Sequence, residues 1–371
     1  MKKKLAILLI ICLAAAALSG CKDSGKTNQD NTQTESPSGK TKNEAAGTGQ
    51  SDSETVTVRA ASLSKEIALP FYIIHENGWD VENGFEIELS AYDSGSLVNE
   101  ALGAGLWDVA ALGSAAISSM AKYDCVQLMQ FQDCGAGMGA IVRKDSGILS
   151  EKGYNPDYPD VYGSPDTVKD ATILVAVGSG NHMQISSWLQ ALGLTDADVN
   201  LVHMEFAQAW QAFNAGEGDV FATTYPYTAY AIDEGYVFAS DFETLDVQYG
   251  NNIICTREFY EKNPDTAAAL LQQIIRANDV LKDVDTAAEW MVKWYGVNGN
   301  EVDQETARTQ MEVNPYFGTE DVTAEDFDNS AMISVQADFS FATGAITQEE
   351  YDQVLKNIDV GIFDKAVADL K

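Results

Sequence analysis

Three short turns hold the residues best suited to chemistry: Asp93-Ser94-Gly95-Ser96, Gly113-Ser114 and Gly178-Ser179-Gly180-Asn181-His182. Each follows a strand-like run and opens a helix-like one. Each therefore offers free backbone N–H groups and the positive end of a helix, which together favour an anion. Glycine and serine are also ordinary at helix starts, so any one turn is equally a cap; three at equivalent positions of two repeated units point to a site. The third turn begins like the dinucleotide fingerprint G-x-G-x-x-G but has Met183 where the last glycine belongs. His182, one step inside its helix, suits either a ligand contact or a structural hydrogen bond.

Other chemistry is scarce. The histidines are His75, His182 and His203, none within H-E-x-x-H, and no G-x-S-x-G elbow occurs, so neither a zinc protease nor an α/β-hydrolase is signalled. Past the N-terminal region, Cys125, Cys134 and Cys255 form no C-x-x-C pair, which argues against a zinc site. Cys125 and Cys134 could pair as a disulfide in an oxidising compartment; alternatively Cys125 and Cys255, each inside an apolar run, are small core residues. No metal and no cofactor is expected. Asp and Glu number 56 against 23 Lys and Arg, a formal charge of −33. Without a basic cluster, no nucleic acid is expected as a partner, and the acid reads as a solvated, self-repelling surface.

The start of the chain bears on where it works. Lys2-Lys3-Lys4 precede the apolar run Leu5–Leu18, which ends in Leu18-Ser19-Gly20-Cys21. A basic segment, an apolar segment and a small-residue cleavage site make a secretory signal peptide, over residues 1–20. The apolar run falls short of the roughly 20 residues that span a bilayer. Leu-Ser-Gly-Cys is similar to the lipobox of bacterial lipoproteins. That likeness implies lipidation of Cys21 and a protein held on the extracytoplasmic face of the bacterial cell membrane, where ATP and NAD are scarce. Residues 21–54 follow as a lipid-anchored tether. From Lys22 to Glu54 almost no apolar residue occurs, so the tether should be disordered, with a reach of about 30 Å. A tether of that length favours a Gram-positive source.

The elements that must position the turns alternate. Strands are predicted over Val56–Ala61, Phe85–Ala91, Trp107–Leu112 and Val126–Phe131. Helices fall between them: one opened by Pro70 and running through Trp79, then Leu97–Ala104 and Ala115–Tyr123. Gly135–Arg143 reads as an apolar, glycine-rich strand and Tyr154–Pro165 as a loop. A second alternation runs through strand Thr172–Val177, helix Met183–Leu192, strand Asn200–Met204, helix Ala207–Ala215, strand Asp219–Thr223 and a helix opened by Pro226. Asn251–Cys255 is one more strand, and from Glu258 the chain is almost entirely helical. Trp188 and Trp210 lie at helical apolar positions and read as core. The pattern predicts an α/β fold of two lobes, each a mainly parallel sheet flanked by helices, with a helical C-terminal tail. One lobe comprises residues 55–139 and 251–371, the other 140–250. Ligands of such sheets bind beyond the carboxyl ends of the strands, here in a cleft between the lobes.

The stretch Gly178-Ser179-x-x-His182 resembles the G-S-x-x-H turn of the nitrate/sulfonate/taurine type of ABC-importer substrate-binding proteins, the aliphatic sulfonate-binding-like family. The likeness continues through Leu192-Gly193-Leu194, Ala209-x-x-Ala212-Phe213-x-x-Gly216, Asp219-Val220-Phe221-Ala222 and Tyr225-Pro226-Tyr227, with Gly235 closing the unit. In the first lobe it includes Pro70-Phe71-Tyr72…Glu76-x-Gly78 and Ala101-Leu102-x-Ala104-Gly105-x-x-Asp108-Val109-Ala110. It covers about residues 56–255. The resemblance implies a two-lobed, hinged, monomeric receptor with a periplasmic-binding-protein-like fold and no catalytic activity, which captures a small-molecule solute and delivers it to membrane permease subunits. It also implies contacts from Ser64, Lys65, Ser94, Gly95, Ser96, Gly113, Ser114, Ser179, Gly180, Asn181, His182, Thr224 and Tyr225.

One departure is informative: many sulfonate-binding relatives carry Trp-Asp-Pro where this chain has Thr224-Tyr225-Pro226. Positive charge near the cleft is limited to Lys65, Arg143 and helix N-termini, while Glu66 and Asp93 lie close by. A small polar organic solute (a sulfonate, a taurine-like molecule, or another nitrogen- or sulfur-containing compound) therefore fits at least as well as an inorganic anion. Two other readings use the same fold: a non-transport surface sensor or adhesin, and an enzyme resembling the thiamine-pyrimidine synthases, whose Cys-rich iron motif is missing here.

Overall fold

The computed structural model describes residues 55–358 and 361–370; the signal, Cys21 and the tether lie outside them. Ten strands occur among the described residues: β1 (Val56–Leu63), β2 (Phe85–Tyr92), β3 (Val109–Leu112), β4 (Val126–Asp133), β5 (Gly139–Val142), β6 (Thr172–Val175), β7 (Asn200–His203), β8 (Val220–Thr223), β9 (Val237–Asp241) and β10 (Gly250–Cys255). They form two five-stranded sheets, ordered β2-β1-β3-β10-β4 and β7-β6-β8-β5-β9. In each sheet the first three strands run parallel, joined by crossover helices as parallel pairing requires. The fourth is antiparallel to both its neighbours. That antiparallel strand is in each case the one beside the crossing, β5 after the chain has left the first sheet and β10 on its return.

Alternation sets the register. Phe85 and Ile87 of β2 face the core while Glu86 and Glu88 face out, and β2 runs alongside β1 from Val56↔Phe85 to Leu63↔Tyr92. The inner strands β3 and β10 are buried along their whole length. Three segments differ from expectation. The helix opened by Pro70 stops at Glu76 because Gly78 takes φ +69, and Trp79 begins a separate turn, Trp79–Glu82. Of Gly135–Arg143 only Gly139–Val142 is strand, since Met138 N–H turns back onto the Gly135 carbonyl at 3.1 Å. The edge strand β9 follows the turn at Gly235, which reads in the sequence as the end of the unit.

The helical tail covers the first sheet. Helix Pro264–Leu281 buries Leu270, Leu271, Ile274, Ile275 and Leu281 in one apolar cluster with Val126, Leu128 and Phe131 of β4. Amide side chains fasten later parts of the tail: Gln127 Nε2 donates to the Asn329 carbonyl (3.1 Å), Gln132 Nε2 to that of Asn314 (3.3 Å), and Gln336 Nε2 to that of Gly250 (2.7 Å). Trp188 is fully buried with its indole N–H on the Tyr162 carbonyl. Trp210 is surrounded by Phe221, Tyr227, Tyr230 and Tyr236 at 6.0–6.4 Å. Cys125, Cys134 and Cys255 are buried, and no disulfide joins Cys125 to Cys134. Burial, with Asp124 beside it, pushes the Cys125 thiol up to about 12.

Candidate functional site

The carboxyl ends of the parallel strands in the two sheets border one cavity of about 250 Å³, near the small end of the range for small-molecule sites. Three strand-to-helix turns supply most of its wall. After β2, Ser94, Gly95 and Ser96 line it at the start of helix Gly95–Gly103, where Ser94 Oγ accepts from the Leu97 N–H. After β3, Gly113 and Ser114 line it before helix Ala115–Tyr123. After β6, Ser179, Gly180 and Asn181 line it at the start of helix Gly180–Ala191. The Ser179 hydroxyl is buried without a hydrogen-bond partner. Asn181 is held by a short hydrogen bond from its amide to the Thr223 carbonyl. Lys65, after β1, and Thr224, after β8, complete the expected residues found there.

Ser64, His182 and Tyr225 do not line this cavity. The Ser64 main chain and hydroxyl are both spent on the Tyr92 carbonyl, at 2.9 and 3.4 Å. Tyr225 is 6 % exposed, its ring against Gly137, where an added Cβ would come within 2.7 Å of it. His182 braces the third turn: its Nδ1 accepts from the Gly178 N–H at 3.2 Å, and its Nε2 lies 2.9 Å from Asp196 Oδ2. Arg143 is likewise remote from the cleft, because its guanidinium donates to the carbonyls of Phe213 (2.6 Å), Gly218 (2.7 Å) and Glu217 (3.0 Å) and stacks on the Phe213 ring.

Tyr249 is the main lining residue that the sequence did not disclose. It precedes β10, stacks on Phe242 with ring centroids 4.9 Å apart, and accepts the Ser114 N–H on its hydroxyl at 3.1 Å. Its ring meets Gly180 so closely that an added Cβ there would collide with the hydroxyl, and a Cβ on Gly113 would lie 2.5 Å from the same oxygen. Those two glycines are required by close approach rather than by φ. Burial pushes the Tyr249 phenol up to about 12. No local spacing signals such a residue, since the crossing strand alone brings it to the cavity floor.

The charges are uneven. The Lys65 ammonium sits over the Phe206 ring, 4.1 Å from its centroid. Burial draws its pKa down, opposed by Glu66 and Glu205. Glu66 is 8 % exposed and lines the cavity. Gln310 Nε2 donates to its Oε2 at 2.5 Å, and burial raises its carboxyl against the pull of Lys65. Asp93 and Glu205 stand exposed at the rim. Among the described residues, no hydroxyl or thiol lining the cavity is hydrogen-bonded to a histidine or carboxylate. The groups available there are donors, acceptors and charges suited to holding a small polar molecule.

Fold and site define a substrate-binding protein of the kind that serves ABC import systems. The sequence profile of the NMT1-like family matches residues 51–295. An ABC transporter periplasmic binding protein of Brachyspira hyodysenteriae is 32 % identical over 324 residues, 87 % of this chain and 93 % of that one. Among solved structures, the periplasmic aliphatic sulphonate binding protein SsuA of Escherichia coli superposes with a TM-score of 0.63 at 19 % identity, covering 80 % of this chain and 91 % of its own. The periplasmic nitrate-binding protein NrtA of Synechocystis PCC 6803 does so with 0.64 at 16 % identity, covering 86 % and 90 %. These likenesses show the fold. The chain belongs to the NMT1-like family, and no helix among its described residues is long and apolar enough to cross a membrane.

Proposed function

We propose that the protein is an extracytoplasmic, lipid-anchored receptor that captures a small polar organic solute in this cavity and hands it to an ABC permease, with no catalysis of its own. One lobe is built on the first sheet and the tail, the other on the second sheet. Closure about the crossings near residues 139–143 and 248–252 encloses the solute. The observation that carries this reading is the convergence of helix starts from both sheets, at Ser94, Ser114 and Ser179, on one cavity. Backbone N–H groups and hydroxyls there hold the acceptor end of the solute, each helix end favouring negative charge by roughly 0.3–1 kcal/mol when exposed and up to about 2 when partly buried. Lys65, with no ion pair among the described residues, adds a cation at the same place. Cys21 carries the anchor, and Cys21→Ser should release the protein from the membrane fraction.

The test is a melting screen against a metabolite panel. A receptor gains stability from its solute by mass action, so one chemical class should raise the melting temperature in a concentration-dependent way. A panel covering sulfonates, amines, amino acids and nitrogen heterocycles that leaves melting unchanged contradicts the receptor reading and favours a sensor or adhesin.

A further inference from the structure

The backbone at Gly180 does not call for glycine. The residue opens helix Gly180–Ala191 and is absent from the positive-φ glycines among the described residues, so alanine would suit the helix better. What forbids a side chain is the Tyr249 phenol, since an added Cβ would collide with its hydroxyl and ring. This contact joins the two sheets. Gly180 follows β6 of the second sheet, whereas Tyr249 leads into β10 of the first.

The phenol has little room to yield. Tyr249 is fastened to the first sheet at both ends: its main-chain carbonyl accepts the Cys134 N–H at 3.0 Å, just past β4, and its hydroxyl accepts the Ser114 N–H at 3.1 Å, just past β3. The ring lies flat on Phe242, at an interplanar angle of 6°. Gly113 crowds the hydroxyl as well, for an added Cβ there would lie 2.5 Å from it. The residue is 3 % exposed, and a close-packed interior transmits a displacement rather than absorbing it. A methyl group at position 180 therefore moves the helix start more readily than the ring. From this wedge, and resting on the receptor reading above for the motion of two lobes, we propose that Tyr249 is the stop on closure. Its phenol fixes how near the Gly180 helix start comes to the Ser114 helix start, and with it the width of the cavity that both line. Tyr249 thus selects solutes by size through spacing: a wider solute holds the lobes apart, and a narrower one loses contact with one side. Every contact in the wedge is the protein's own, so the stop acts without solute.

The test uses the solute-free full chain. Spin labels at two exposed positions, Glu100→Cys on helix Gly95–Gly103 and Gln211→Cys on helix Phe206–Asn214, report the spacing by double electron–electron resonance. Without further substitution, a closed population at the spacing of this structure is expected. Gly180→Ala should lower the ratio of closed to wider spacings roughly tenfold, as expected for overpacking a filled site. Adding Tyr249→Leu, which keeps an apolar side chain against Phe242 but ends short of the hydroxyl position, should restore the ratio. An unchanged ratio in Gly180→Ala, a loss that Tyr249→Leu does not restore, or no closed population in the otherwise unsubstituted protein overturns the inference. If Gly180→Ala does not fold, Tyr249→Leu alone decides: the closed spacing should shorten, and an unchanged spacing overturns the stop. The metabolite screen judges the receptor reading separately, because a protein that no solute stabilises can still show this stop and a receptor can lack it.

Discussion

At the end of β3, the Ser114 N–H that would greet an anion is already taken by the Tyr249 hydroxyl at 3.1 Å. At the matching end of β6, the Ser179 hydroxyl has no partner, and the turn around it is braced from behind by His182 and Asp196. The first-sheet side also carries Lys65, Glu66 and Asp93, whereas the second contributes backbone, hydroxyls and the rim residue Glu205. Two sheets of one plan thus furnish a shared cavity unequally. Apart from His203 and Glu205, the second-sheet side offers neutral donors to an acceptor. The first-sheet side is charged and partly filled by the protein's own phenol, so discrimination between solutes belongs there.

Substitutions can break or sharpen that contrast. The largest expected effect lies outside the cavity. Tyr225→Ala removes a ring packed on Gly137 and should cost roughly 3 kcal/mol of folding stability, read by denaturant unfolding, with solute affinity nearly unchanged in whatever protein folds. A selective loss of affinity would put Tyr225 back in the site. Next, Ser179→Asp places a carboxylate on the donors the solute needs. A helix end is worth up to about 2 kcal/mol, so affinity should fall roughly 30-fold. The fold should survive, because aspartate is a good N-cap. Calorimetry with a solute from the melting screen checks both statements.

His182→Ala removes two hydrogen bonds behind the same turn and should cost about 1–2 kcal/mol of stability, with a smaller loss of affinity than Ser179→Asp. A larger loss would mean that the imidazole touches the solute. The smallest effect is expected for Tyr249→Phe, which keeps the ring stacked on Phe242 and removes only the acceptor of the Ser114 N–H. Stability should fall by about 1 kcal/mol. A gain in affinity for solutes with an acceptor end would show that Tyr249 competes with them for that N–H.

Much of the fold was legible because strand-to-helix turns repeat with recognisable residue types. Helix Ala115–Tyr123 has the boundaries expected of it, and all three turns meet at one cavity. The site was less legible where side-chain direction decides. Ser64 and Lys65 are neighbours, as are Thr224 and Tyr225, yet only Lys65 and Thr224 line the cavity. Successive residues in extended backbone point to opposite sides, and Lys65 is extended, at φ −131° and ψ −177°; composition near a strand end does not say which neighbour points inward. Tyr249 was hidden for another reason. It depends on the crossing strand β10, just as the Glu66 partner Gln310 arrives only from the tail, 244 positions away. Arg143 illustrates the reverse error: a cation close in sequence to the crossing is held by three carbonyls away from the cleft.

The central claim is that one solute is held between the two unequal sides of this cavity. Hydrogen–deuterium exchange, with and without a saturating solute from the melting screen, tests it most directly. Protection is predicted in peptides covering residues 112–120 and in those covering 176–186, the helix starts on opposite sides. Protection confined to one of these stretches, or found only elsewhere in the chain, contradicts the account.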